Sequence, residues 1–279
     1  MSQLGLRLRS SPEGLPNQPK GATLHIVEME NRMEYELAEA VQRHYPLDWK
    51  EDSITHDLLI RFRRQFRETT LEGLRYPLQL EWEVYKFHGA RETSYGDIGM
   101  LIRYRLPSGV DVEAAAFLEA KVRGRDSTKF HQVRHEQVSR ILARSRYTRL
   151  LLYDYNAVAV LGGDGFDPEW DWHPHPFHRR RMEHATVTHG PTVPLELAAA
   201  VNQFDDGLYR FAHSFSHQMA RRFFQLHDVD FSEDAVKAVK AFPSDLGATN
   251  YVMVVRGAAL GQEMPEPFVP NDNVYGRFE

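Results

Sequence analysis

The sequence predicts an α/β protein: a mixed β-sheet flanked by helices, followed by a mainly helical C-terminal extension. Three observations predict it. Apolar residues recur at helical spacing as far as residue 66 and alternate at strand spacing from residue 78. A basic helical stretch and an apolar strand follow that alternation, which gives the mixed order of a layered α/β fold. After Leu161 the chain changes character, with Gly, Pro, Trp and His dominating a loop-like run.

Taken in order, residues 1–21 are rich in Ser, Pro, Gly, Asn and Gln, and a flexible arm is expected over 1–25. Residues 31–45 predict a helix, with Met33, Leu37, Ala40 and Val41 on one face and Tyr45-Pro46 ending it. A second helix begins near Asp52-Ser53, its buried stripe being Ile54, Leu58, Leu59, Phe62 and Phe66. LQLEWEVYKF (78–87) alternates like a strand. Residues 96–106 predict another strand, Pro107-Ser108-Gly109 a turn, and 110–122 the hairpin partner. Residues 128–146 predict a basic helix, and 149–161 one strand or two short ones broken near Asn156. These elements define an expected core of residues 26–161. Residues 162–279, a loop-like run, a mainly helical 194–225, a short helix at 231–242, a strand at YVMVVRG and an irregular tail, are expected to serve recognition or assembly.

The chain has 279 residues, 42% hydrophobic and 26% charged, enough for a sizeable core. No apolar run approaches the ~20 residues that cross a bilayer, so no membrane association is expected. The first residues lack the apolar segment of a secretory signal, and a cytoplasmic protein is the expectation. The absence of cysteine excludes disulfides, thiolate zinc sites and a cysteine nucleophile. The net charge of −5 hides an asymmetry: residues 119–149 carry nine basic and three acidic side chains. A basic stripe on an acidic protein points to a polyanion on one surface.

The hairpin carries the chemistry. Glu119 and Lys121 are two apart on a strand and project from the same face. A three-residue loop at 107–109 sets Leu106 opposite Val110, and the same register sets Asp97 opposite Glu119. The other face then joins Ile98, Met100, Ile102 and Tyr104 to Ala116, Leu118, Ala120 and Val122 as an apolar layer. Two adjacent carboxylates stay ionised only with a cation between them, and a hard divalent ion, Mg²⁺ or Mn²⁺, suits oxygen ligands that also face substrate phosphate. A lysine beside them can orient water or neutralise a developing phosphorane.

The run GDIGMLIRYRLPSGVDVEAAAFLEAK resembles the PD-(D/E)xK nuclease superfamily, with its restriction-endonuclease-like fold. Asp97 matches the family Asp and Glu119-Ala120-Lys121 the Glu-x-Lys, while Gly96 stands where the family name has Pro. The resemblance, which covers about residues 49–161, implies a further acid at the first core helix: Glu51, with Asp52 as the alternative. It also implies a Gln on the helix after Glu-x-Lys, here Gln132 or Gln137. The metal ligands would be Glu51, Asp97 and Glu119; the catalytic residues Asp97, Glu119, Lys121 and Gln132. Lys121→Ala is expected to abolish cleavage and leave folding intact. Arg123, Arg125, Lys129, Arg134 and Arg140 are candidates for the phosphodiester backbone.

The expected function is therefore metal-dependent cleavage of DNA by an endonuclease, as the nuclease subunit of a microbial defence (antiviral) or repair complex whose protein partner supplies targeting. RNA cleavage, self-association, and a non-catalytic scaffold with the same fold stay open. The pairs His131/His135 and His213/His217, at i, i+4, offer a zinc alternative, but no Glu follows the first His as in a zincin. His173, His175 and His178 read as loop packing. Gly162-Gly163-Asp164-Gly165 lacks the Gly-Lys-Ser/Thr of a phosphate loop.

Overall fold

A ten-stranded mixed sheet organises the chain. The computed structural model describes residues 21–88, 94–131, 134–161, 185–201, 204–240 and 249–278. The elements in chain order are β1 (Ala22–His25), α1 (Ile26–His44), α2 (Glu51–Phe66), β2 (Glu68–Glu72), β3 (Leu78–Phe87), β4 (Ile98–Arg105) and β5 (Asp111–Val122). Then come α3 (His135–Arg144), β6 (Arg149–Tyr153), β7 (Val158–Leu161), β8 (Ala185–Thr188), β9 (Pro191–Pro194), α4 (Leu195–Val201) and a 3₁₀ segment (Asp206–Phe211). β10 (His213–Ser214), α5 (Phe215–His217) with a π-helical continuation (Gln218–Phe223), α6 (Glu233–Val239), β11 (Tyr251–Ala259) and β12 (Tyr275–Arg277) complete the fold. Among the described residues, no helix is long and apolar enough to cross a membrane.

The strand order is β1-β2-β3-β11-β4-β5-β6-β9-β10, with β12 against β3 and with β7-β8 forming a separate pair. β11 lies antiparallel to β3 and parallel to β4. It is hydrogen-bonded on both edges, and its pattern is buried on both faces (YVMVVRGAA), as a central strand requires. The expected division near residue 162 therefore does not separate a self-contained core. The sheet needs β11, β9 and β10, all from beyond it.

One sheet face packs on α1, α2 and Phe215–Phe224. Met29, Met33, Leu37, Phe62 and Phe66 meet Ile98, Met100, Ile102, Ala116, Leu118 and Met253 there. That is the apolar layer the hairpin pattern predicts. On the other face, α6 covers Leu101, Phe117 and Val254, while α3 and α4 cover Leu150, Leu152 and Val193.

Several boundaries move. β1, parallel to β2, lies within the stretch expected to be an arm. α1 begins at Ile26 rather than 31, where the His25 ring nitrogen accepts from Val27 N–H and caps it. The acidic residues between hide its buried stripe of Ile26 and Met29. The expected helix at 128–146 shrinks to α3, because 128–131 are claimed by other backbone partners. Lys129 C=O accepts from Gly124, Phe130 N–H donates to Phe204 and His131 N–H to Val122. Residues 149–161 form two strands, β6 and β7. The stretch 194–225 mixes α, 3₁₀ and π turns with the short β10.

Candidate active site

The turn between β4 and β5 sets the geometry. Leu106 N–H donates to Val110 C=O at 2.9 Å and Gly109 N–H to Leu106 C=O at 2.8 Å, closing the three-residue loop. Ile98 pairs with Leu118. Asp97, one residue before β4, continues the register towards Glu119 and donates its N–H to Leu118 C=O at 2.9 Å. The backbone at Gly96 admits no other residue easily. Its φ of +123° is closed to Pro, and a Cβ there would lie 2.8 Å from the Leu118 carbonyl oxygen.

Four charged side chains converge at this end of the sheet. The Lys121 ammonium lies 2.7 Å from Glu119 Oε1 and 3.2 Å from Glu51 Oε2. Glu51 opens α2, where the helix dipole favours an acid, and its Oε1 accepts from Val122 N–H at 3.4 Å. Asp97 Oδ2 accepts from Ala120 N–H at 2.9 Å, and Oδ1 from Asn250 Nδ2 at 3.0 Å. Gln137, in the first turn of α3, donates to Glu119 Oε1 at 2.7 Å. Thr55 and Tyr153 join hydroxyls at 2.9 Å, tying α2 to β6 nearby.

Glu119 is fully buried, at 0% exposure, and Lys121 is 6% exposed. Burial, with Asp97 alongside, pushes the Glu119 carboxyl up to about 8. Burial also raises Asp97 and Glu51, against the pull of Lys121. For Lys121, burial works against the charge, but Glu119, Asp97 and Glu51 together outweigh it and push its pKa above the ordinary lysine value. Lys121 is thus a buried ion-paired residue, not the surface-like one that the Ala substitution presumed.

Of the residues expected from sequence, Glu51, Asp97, Glu119 and Lys121 come together. Asp52 turns away: it accepts from Tyr251 Oη at 2.5 Å and from Lys86 Nζ at 3.2 Å. Gln132 lies outside the described residues, whereas Gln137, its alternative, touches the acid cluster. Arg123 is not available to a phosphate. Its guanidinium is held by buried Asp154 at 2.7 Å and by Ser127 C=O at 2.6 Å. Arg125, Lys129 and Arg134 are exposed, Arg140 partly buried. His131 precedes α3 while His135 opens it, so the two do not share a helix face. The His213 and His217 rings lie 5.0 Å apart, with His217 3.7 Å from Glu30. His173, His175, His178 and Gly162–Gly165 lie outside the described residues. Asn250 and Tyr251 were missed. The strand pattern at YVMVVRG was legible, but nothing local says that it inserts between β3 and β4.

Among the described residues, no group of three or more His, Asp and Glu side chains is arranged to hold a metal ion. The positive charge among these acids is the Lys121 ammonium. A magnesium-like ion nevertheless needs only one or two carboxylates, with water and substrate phosphate completing its sphere. Glu119 Oε2 meets that need: it is buried and has no hydrogen-bond partner among the described residues, beside a second carboxylate. The residues therefore fit a hard divalent cation.

Searches against protein-family models, curated proteins and solved structures find no match to this chain.

Proposed function

We propose that this chain is a metal-dependent nuclease of the PD-(D/E)xK type, with a restriction-endonuclease-like arrangement of sheet and helices, that hydrolyses DNA phosphodiester bonds. One observation carries the reading. The β4–β5 register brings Asp97 beside Glu119 and Lys121, and α2 adds Glu51 to the same ammonium. Gln137, the alternative to Gln132 for the Gln that the resemblance implies, is bonded to Glu119 from the following helix.

Asp97 and Glu119 would hold Mg²⁺ or Mn²⁺, with Glu51 as the third acid. The ion would supply Lewis-acid charge for a phosphoryl oxygen and lower the pKa of a water. Lys121, whose charge its acidic neighbours stabilise, is no general base; it stands as a fixed donor that orients water and offsets charge on the phosphorane. Glu119 Oε1 already accepts from Lys121 and Gln137, which leaves Oε2 as the atom that would meet the cation. Gln137 fixes the rotamer of that carboxyl. Of the cations expected from sequence to meet a phosphate backbone, Arg125, Lys129 and Arg134 are exposed. On a chain of net charge −5 this local stripe would give weak DNA binding at physiological salt, which suits a subunit that a partner in a defence or repair complex brings to its target.

The test is cleavage of supercoiled plasmid and of single-stranded DNA and RNA with Mg²⁺ or Mn²⁺, wild type against Lys121→Met and Lys121→Ala. Loss of cleavage in Lys121→Met, with folding retained, supports the reading. Equal cleavage refutes it. Ion pairing of Lys121 with both acids also suits a non-catalytic scaffold. That reading gains if neither ion stabilises the wild type in a manner that depends on Asp97.

A further inference from the structure

We propose that Asn250 is a positioning residue: its carboxamide fixes the orientation of the Asp97 carboxylate and so prepares it to hold a divalent cation. The inference deepens the nuclease reading and rests on it.

The argument starts from where Asp97 stands. It precedes β4, outside the regular ladder, so strand pairing alone does not fix its side chain. Two donors do. Ala120 N–H, on the paired strand, takes Oδ2 at 2.9 Å, and Asn250 Nδ2 takes Oδ1 at 3.0 Å. The first is backbone and comes with the hairpin. The second is the only side-chain hydrogen-bond donor to Asp97 among the described residues, and it arrives from 153 positions away in sequence.

Asn250 is itself held by its main chain. Phe87 N–H donates to Asn250 C=O at 2.9 Å, and the next residue, Tyr251, donates its N–H to Asp97 C=O at 2.9 Å. The Thr249 hydroxyl donates to Tyr251 C=O at 2.8 Å. The carboxamide is thus presented by a backbone pinned to β3 on one side and to Asp97 on the other. A donor pre-aimed in this way spares the ordering cost of a free carboxylate. It leaves each Asp97 oxygen with one N–H and a lone pair to spare for a cation. Asn250 is only partly buried, so removing its side chain does not empty the core.

The test uses the full chain and Mn²⁺ alone as probe, by calorimetric titration, with melting measured in the absence of metal. Asn250→Ala removes the donor; Asn250→Leu removes it and keeps the branched shape. Both variants should bind Mn²⁺ about 10-fold to 100-fold more weakly than wild type, the usual loss when a group that orients a ligand is removed. Both should melt near wild type without metal. On plasmid DNA, kcat should fall while KM for DNA stays unchanged, a split that a loss of folding or of DNA contact does not produce. Wild-type Mn²⁺ affinity and kcat in both variants overturn the assignment and leave the nuclease reading standing. A wild type that neither binds Mn²⁺ nor cleaves overturns that reading, and this assignment with it.

Discussion

Lys121→Met isolates the charge at the centre of the site, since methionine keeps most of the aliphatic stem and loses only the ammonium. The wild-type ammonium lies 2.7 Å from Glu119 and 3.2 Å from Glu51, at 6% exposure. Removing one partner of a buried pair leaves uncompensated charge and costs about 3–5 kcal/mol. Protonation caps that loss, because burial already pushes Glu119 up to about 8 and also raises Asp97 and Glu51. The cost must therefore depend on pH. The folded-state pKa of Lys121 is raised, so its contribution is complete everywhere below the ordinary lysine range and is lost only above the folded value. In the variant the three acids climb further. The folded form then holds protons that the unfolded chain has released, and stability drops as pH rises from the ordinary carboxylate range towards 8 and above. Urea unfolding at pH 6 and pH 8 should give a loss of about 3 kcal/mol at pH 8 and a smaller one at pH 6. A variant within about 0.5 kcal/mol of wild type at both values would refute the burial of this ammonium among acids.

Glu119→Gln should flatten the pH dependence of the metal-free protein. With the Glu119 carboxyl at about 8 in the fold against 4.5 ordinarily, wild-type stability falls as pH rises between those values, and melting curves from pH 5 to 9 should show a steeper slope in wild type than in the variant, where the raised Asp97 and Glu51 keep the remainder. Replacing Arg125, Lys129 and Arg134 by Ala should lower the salt dependence of DNA affinity by about 0.9 in log–log slope for each true phosphate contact, with melting unchanged. Arg123→Ala should instead destabilise the fold by about 3 kcal/mol in urea unfolding, because Asp154 is left buried without its guanidinium. A chain cut after Leu161 should fail to give a cooperative melting transition, since β3 and β4 lose the strand that joins them.

The hairpin was legible because its rules are local. A three-residue turn fixes the register, and register fixes which carboxylates meet. Strand 78–87 and the stripe of α2 follow from period alone. Gln137 could be named only as an alternative to Gln132, because the choice depends on where α3 starts. That start is set by Lys129, Phe130 and His131 bonding to Gly124, Phe204 and Val122, contacts that helical propensity cannot anticipate. Arg123 looked like any other member of the basic stripe. Its commitment to Asp154 depends on a partner 31 positions away. β1 and the first turn of α1 were missed because four residues of edge strand and a histidine cap leave little periodic signal.

The position of β11 changes what the second half of the chain means. Periodicity identifies 251–257 as a strand but says nothing about its neighbours, and a reading that ends the core at residue 161 leaves β3 and β4 without their common partner. In the sheet, β11 fills that place with a two-faced apolar pattern and carries Asn250 at its entry, beside Asp97. The side chains of the candidate site thus come from the start of α2, the two strands of the hairpin, the first turn of α3 and the residue before β11. Each lies at or near the end of an element whose backbone the fold already holds. A site built in this way forms only when the whole sheet has formed. Its buried acids and ammonium, costly to assemble singly, are brought together by a sheet that hydrophobic burial on both faces already stabilises.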